Sequence, residues 1–250
     1  MISLNNIDAG YLDKQGGRIK VLKNINLSVP SGEFITVVGG NGAGKSTFMN
    51  LLAGELIPFS GSFVLDNLDV TTIEAKKRSK YVGRVFQDPR AGSFPDMTIE
   101  ENLSIAYQRG KNSKLQFGLS YPKRKLFREA LASLGIGLED KLNVLMGSLS
   151  GGQRQGVCLL MACLCNCKML LLDEHTAALD PKMAAKILKL SNEFVRRQKV
   201  TTFMITHSLN QALEYGDRTI VLNSGEIVAD LKGKQRNEAN TNELLRYFAC

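Results

Sequence analysis

A chain of 250 residues, 44% hydrophobic and 22% charged, can bury one large core or two small ones, and its composition is that of a globular protein. No apolar run approaches the ~20 residues a membrane-spanning helix needs; the longest, from Gly156 to Cys167, contains Asn166 and is followed by Lys168. The formal net charge of +8 is partly local: Arg109, Lys111, Lys114, Lys123, Arg124, Lys125 and Arg128 share one stretch that holds no acidic residue. Such a stretch serves as a solvated loop, as contact with anionic lipid or as contact with nucleic acid, and no base-stacking module accompanies it here.

The start, Met1-Ile2-Ser3-Leu4-Asn5-Asn6, shows neither a charged nor an apolar leader region, so a cytosolic chain is expected, with any membrane association made through a partner. Of the five cysteines, Cys163, Cys165 and Cys167 alternate. A metal site is one reading. The cluster lacks His and the usual two-residue spacing, which favours small buried apolar side chains.

Residues 1–38 alternate in short stretches broken by Asn, Gly and Pro, which predicts antiparallel strands and hairpins. Tyr11 falls in a turn-rich part of this region, as an aromatic anchor or as a platform for a base. Phe34-Ile35-Thr36-Val37-Val38 reads as a buried strand. It runs into Gly39-Gly40-Asn41-Gly42-Ala43-Gly44-Lys45-Ser46-Thr47, which matches the phosphate-binding pattern G-x-x-x-x-G-K-[ST]. Glycines let backbone N–H groups curl close around a polyphosphate, and the helix expected over Phe48–Ala53 adds its positive end. Lys45 is placed to reach the β- and γ-phosphates and Ser46 to ligate Mg²⁺. Gly54 stops that helix.

Residues 56–86 alternate again and lead into Gln87-Asp88-Pro89. Thr98 and Glu101 form a capping-box pattern, so a helix begins near Ile99, and the pattern stays helical to Cys165. Ser150 and Gln153 repeat the capping box in Leu149-Ser150-Gly151-Gly152-Gln153. Two glycines just inside a helix cost about 1 kcal/mol each relative to Ala; bare N–H groups there make a second anion site. Met169-Leu170-Leu171-Leu172 reads as a strand buried on both faces. It ends in Asp173-Glu174, where strand alternation divides the carboxylates, Asp173 toward Mg²⁺ and Glu174 toward a water. A helix is predicted from Ala184 to Arg197, then a strand over Thr201–Thr206 that ends at His207. Two short strands follow around Ser224-Gly225, and a polar segment from Lys232 to Asn242 leads to a final helix.

In this order the motifs resemble those of the ATP-binding cassette (ABC) ATPases, over nearly the whole chain. The resemblance rests on residues 39–47, Gln87, Leu149-Ser150-Gly151-Gly152-Gln153, Asp173-Glu174, Ala178-Leu179-Asp180 and His207. It implies an α/β P-loop NTPase (RecA-like) core with an N-terminal antiparallel β-subdomain and an inserted α-helical subdomain. Residues 1–87 and 166–250 would form the nucleotide-binding core and residues 88–165 the helical subdomain. ATP and Mg²⁺ would be the ligands, with Ser46, Gln87 and Asp173 on the metal and Tyr11 on adenine. Glu174 would polarise the attacking water, and Lys45, His207 and Gln87 would complete the catalytic set. A second copy would supply Ser150, Gly151, Gly152, Gln153 and Asp180 across a head-to-tail dimer.

His175 stands where many family members have Pro and is expected to be structural. With Gly83 to Pro89 and Met97 to Leu103, it narrows the resemblance to bacterial importer ATPases. Those work with branched-chain-amino-acid-type permeases and tryptophan- or tyrosine-type binding proteins. The implied protein energises import of a small solute such as an amino acid from the cytoplasmic face of the membrane. Its partners would be permease subunits and a solute-binding protein, and no nucleic acid. The alternative is a soluble ABC ATPase of repair, translation or iron–sulfur assembly. Against it, the span from Gln87 to Leu149 shows no sustained heptads, and one cassette is present rather than two.

Overall fold

The computed structural model describes residues 1–110, 121–164 and 167–248. Strands β1 (Ile2–Leu12) and β2 (Arg18–Val29) open the chain as one long antiparallel pair, longer than the short hairpins predicted. β3 (Phe34–Val38) is buried throughout and leads to α1 (Lys45–Ala53). Gly54, at φ 81°, ends α1, and its N–H donates to the Asn50 and Leu51 carbonyls, as a left-handed glycine at a helix end should. Then come β4 (Ser60–Leu65), β5 (Leu68–Asp69), α2 (Ala75–Arg78) and β6 (Val82–Val85). Helices α3 (Ile99–Gln108), α4 (Tyr121–Leu134) and α5 (Gly151–Cys163) follow, with loop and one 3₁₀ turn between α4 and α5; the helical pattern is interrupted there by Gly135, Gly137 and Gly147. The chain closes with β7 (Met169–Asp173), α6 (Pro181–Gln198), β8 (Thr201–Ile205), α7 (Leu209–Glu214), β9 (Arg218–Asn223), β10 (Glu226–Lys232), α8 (Gly233–Glu238) and α9 (Thr241–Arg246).

Two sheets result. One is antiparallel, in the order β2-β1-β4-β5; the other runs β10-β9-β3-β8-β7-β6, parallel from β9 to β6 with β10 antiparallel at the edge. Alternation assigns the faces of the parallel sheet. Ile35, Val37, Leu171, Phe203 and Ile220 face α1 and the antiparallel sheet in one core. Leu170, Leu172 and Met204 face Leu159 of α5 and Leu188 of α6 in another. Strands buried on both faces need the continuous apolar runs seen in β3 and β7, at about 1.5–3 kcal/mol for each fully buried aliphatic side chain. A separate core, built on Leu103, Phe127, Leu131 and Val157, joins α3, α4 and α5.

Buried arginines pin these layers. Arg78 donates to the Leu51 carbonyl at 2.6 Å and to those of Leu52 and Val70, holding the end of α1; burial pushes its pKa down to about 10. Arg236 donates to the carbonyls of Ala212, Leu213 and Tyr215 at the end of α7. The polar segment after Lys232 thus includes a short helix, α8, docked on α7. α6 begins earlier than predicted because Asp180 caps it and Pro181 takes its first turn. Among the described residues, no helix is long and apolar enough to cross a membrane.

Candidate active site

The parallel sheet brings the carboxyl ends of β3, β8 and β7 side by side. The loop after β3, His207 after β8 and Glu174 after β7 therefore meet at one edge. A cavity of about 480 Å³ opens there, lined by residues 41–47 with Val21, Gln87, Glu174 and His207.

Gly44, at φ 99°, stands before α1, and no side chain caps that helix. The free N–H groups of its first turn thus remain available to an anion. Gly39 is required by space, since a Cβ there would lie 2.3 Å from the Leu222 carbonyl oxygen. Lys45 is buried, and its Nζ donates to the Gly39 and Gly40 carbonyls at 2.9 Å each. Burial pulls the Lys45 pKa down, while the charge of Glu174 opposes that shift.

Tyr11 lies on β1, paired with Ile19, rather than in a turn. Its hydroxyl is 3.4 Å from both Thr47 Oγ1 and Asn50 Nδ2, so the half-exposed ring stands beside α1 and outside the phosphate cavity. Gln87 lies just beyond β6 and lines the cavity. The carbonyl of Phe86, its neighbour, accepts a hydrogen bond from Gln155 Nε2 at 3.0 Å, which ties this loop to α5.

The two carboxylates after Leu172 separate for a reason other than strand alternation. Asp173 ends β7, whereas Glu174 leaves the strand in the left-handed region at φ 46°. Glu174 Oε1 lies 2.6 Å from His207 Nε2. Asp173 stays outside the cavity lining, its Oδ2 held at 2.6 Å by Arg84 Nη2. His175 turns inward: its Nε2 is 3.0 Å from Ser191 Oγ, which in turn donates to the Ile187 carbonyl. Complete burial pushes the His175 pKa down to about 4, so the ring is neutral.

Ser150 caps α5, and Gln153 Oε1 accepts from the Ser150 N–H in return. The glycines here differ in purpose. A Cβ on Gly152 would lie 2.2 Å from Met183 Cγ, whereas a Cβ on Gly151 would meet nothing nearer than 3.8 Å. Gly152 therefore admits the start of α6, and Gly151 keeps the helix end bare. Asp180 Oδ1 accepts from the Met183 N–H at 3.0 Å. None of residues 150–153 or 180 lines the cavity.

Ser46 and Gln87 line the cavity, and Asp173, outside that lining, ends β7 next to Glu174 in sequence; the three present hydroxyl, amide and carboxylate oxygens. Those donors suit Mg²⁺, which keeps waters and shares phosphate oxygens. No group of three or more His, Cys, Asp or Glu forms a metal cage among the described residues. Cys163 and Cys167 pack against the apolar core beside α5, and Cys165 lies outside the described residues, as do Lys111 and Lys114 of the basic stretch.

Sequence reasoning passed over Arg84, Val21 and Gly225. A buried ion pair leaves no periodic signal. Gly225 showed only as a turn, although its N–H donates to the Ala43 carbonyl and its own carbonyl accepts from the Lys23 N–H.

The family model described as ABC transporter matches residues 22–177. A curated tyrosine transport ATP-binding protein of Clostridioides difficile (strain R20291) is 39% identical over 248 residues, spanning 99% of this chain and 98% of its own. Among solved structures, the ATP-binding cassette MJ0796, a dimer in a post-hydrolysis state bound to ADP and Pi, superposes with a TM-score of 0.77 at 30% identity, over 93% of this chain and 98% of that one. The cbiO1 chain from Clostridium perfringens, part of the ABC transporter complex cbiONQ, gives 0.78 at 27% identity, over 98% and 92%. With this match and the phosphate loop, Glu174 and His207 gathered at one sheet edge, the chain belongs to the ABC transporter family, as one of its ATP-hydrolysing cassettes.

Proposed function

We propose that the protein powers import of a small solute, an amino acid in the first instance, by hydrolysing ATP in a head-to-tail pair of chains. The observation that carries this reading is the split of polar machinery. Residues 41–47, Gln87, Glu174 and His207 share one cavity, and Ser150 to Gln153 and Asp180 are not among its walls. A second copy is then needed to bring Ser150 and the bare N–H groups of Gly151 and Gly152 over the bound nucleotide. The name of the Clostridioides difficile relative supports the substrate class, and the dimeric state of MJ0796 supports the pairing.

Within the site, the N–H groups of residues 40–47 and Lys45 bind the polyphosphate, and Tyr11 offers its ring to adenine. Ser46, Gln87 and Asp173 would hold Mg²⁺, which when bound neutralises charge on the phosphates. Glu174 orients the attacking water and takes its proton; His207 holds that carboxylate and reaches toward the γ-phosphate. Asp180 acts from the partner copy. Positioning and charge stabilisation carry most of such a reaction.

In this reading residues 1–87 and 166–250 are the nucleotide-binding core, and residues 88–165 carry the helical arm. A groove of about 600 Å³ runs between them, with Phe86, Phe94, Ile105 and Met161 among its walls; Phe94 and Ile105 are exposed. Exposed apolar side chains in a groove fit docking of a permease segment at the cytoplasmic face of the membrane. A solute-binding protein would deliver the cargo. The test is purification from the native membrane, followed by ATP turnover of the reconstituted complex with candidate amino acids. Recovery with a multi-spanning membrane protein and stimulation by one solute are expected. Recovery with ribosomes or DNA would contradict the reading.

A further inference from the structure

Arg84 occupies a position on β6 opposite Leu171 of β7, in a setting that otherwise calls for an apolar residue. Its side chain is only 11% exposed. Nη2 reaches Asp173 Oδ2 at 2.6 Å, while Nη1 reaches Glu55 Oε2 at 2.9 Å and Asn50 Oδ1 at 3.0 Å. The guanidinium lies 4.8 Å above the Phe86 ring. Nε is buried and makes no hydrogen bond among the described residues. Desolvating a cation this far costs several kcal/mol unless its partners are fixed. Here the fork is fixed at both edges, and so is the carboxylate it grips.

With a guanidinium cation held on Oδ2, that oxygen keeps a lone pair but is the poorer one for a second cation, and Oδ1, which takes no hydrogen bond among the described residues, is the better donor. Mg²⁺ accepts a monodentate carboxylate and keeps its waters; Ca²⁺ favours more ligands and often a bidentate carboxylate. We propose that Arg84 is a positioning residue that confines Asp173 to one oxygen and so biases the nucleotide site toward Mg²⁺ over Ca²⁺. This rests on the reading of Asp173 as a metal-holding residue. Partners that orient a metal-holding carboxylate are worth roughly 10–100-fold in metal affinity.

The experiment titrates Mg²⁺ or Ca²⁺ into the full-length protein and follows binding of a fluorescent ATP analogue, which needs no turnover. The quantity read is the ratio of half-saturating Ca²⁺ to half-saturating Mg²⁺. Arg84→Met should lower that ratio about tenfold, whichever way the separate values move. Arg84→Lys, which returns one donor to Oδ2, should restore most of it. Glu55→Gln should leave it unchanged, since the Asp173 contact stays. Arg84→Gln is polar but too short to reach, and carries the same expectation where Arg84→Met does not fold. An unmoved ratio in a variant lacking Arg84, beside a wild type that responds to both cations, would overturn the inference alone. A wild type whose nucleotide binding ignores both cations would remove the metal reading and the inference with it. A fall in the ratio for Glu55→Gln equal to that for Arg84→Met would also overturn it, because general charge rather than the grip on Asp173 would be responsible.

Discussion

The Glu174 carboxylate and the His207 imidazole touch across two neighbouring parallel strands, Oε1 to Nε2 at 2.6 Å. Glu174 is largely buried and His207 half exposed, at 13% and 53%. The pair therefore points from a packed sheet edge into the phosphate cavity. Replacing the carboxylate by an amide keeps this shape and removes the base proposed above. Glu174→Gln is expected to bind ATP as the wild type does and to turn it over at least about a hundredfold more slowly. Equilibrium nucleotide binding beside steady-state phosphate release checks this; wild-type turnover in the variant would remove Glu174 from its role.

The buried His175 ring gives the fold a pH dependence. Its pKa falls from 6.5 to about 4 because burial disfavours the charged ring. Between those values the unfolded chain binds more protons, so stability is fully present above about pH 6.5 and is lost as pH falls toward about 4. The loss attributable to this ring is about 3 kcal/mol. Urea unfolding between about pH 7 and pH 4.5 should show a shallower decline for His175→Gln than for wild type. Equal slopes would contradict the assignment.

Gly225 buttresses the phosphate loop from the hairpin between β9 and β10. It sits at φ 86°, and a Cβ there would lie 1.8 Å from the Val21 carbonyl oxygen. Gly225→Ala is expected to cost about 2–4 kcal/mol. ATP affinity should fall with it, because Val21 and Ala43, its two neighbours, line the cavity. Thermal melting with and without nucleotide measures both effects.

Arg218 joins the two sheets. Its guanidinium is buried, pairs with Asp230 at 2.6 Å and with Glu33 at 3.1 Å, and donates to the Ser28 carbonyl. Arg218→Ala leaves Glu33 without this cation, whereas Asp230 keeps Lys232 at 3.3 Å; it should cost about 1–3 kcal/mol, read by denaturant unfolding. Arg218→Met with Asp230→Asn should recover part of that loss.

The elements that bear chemistry were legible because each has a local cause. Glycine spacing marked residues 39–47, paired capping boxes marked the starts of α3 and α5, and apolar runs marked β3, β7 and β8. What was not legible depends on contacts between distant segments. The Arg84–Asp173 pair joins β6 to β7, Gly152 is small because Met183 packs on it, and Glu174 leaves its strand at a positive φ. Alanine and glycine before Tyr11 give that stretch a turn-rich look, yet long pairing with β2 holds Tyr11 in β1. The polar segment after Lys232 folds as α8, which Arg236 ties to the end of α7 through the Ala212, Leu213 and Tyr215 carbonyls.

The central claim is that one chain holds half of each ATP site. Its most direct test is ATP turnover per chain across a range of protein concentrations, with the state of association measured in the same samples. Turnover is expected to rise in step with the dimer fraction, while nucleotide binding per chain stays nearly constant, and Ser150→Arg should abolish the rise. Full turnover at a fixed rate in samples that sediment as monomers would contradict the claim.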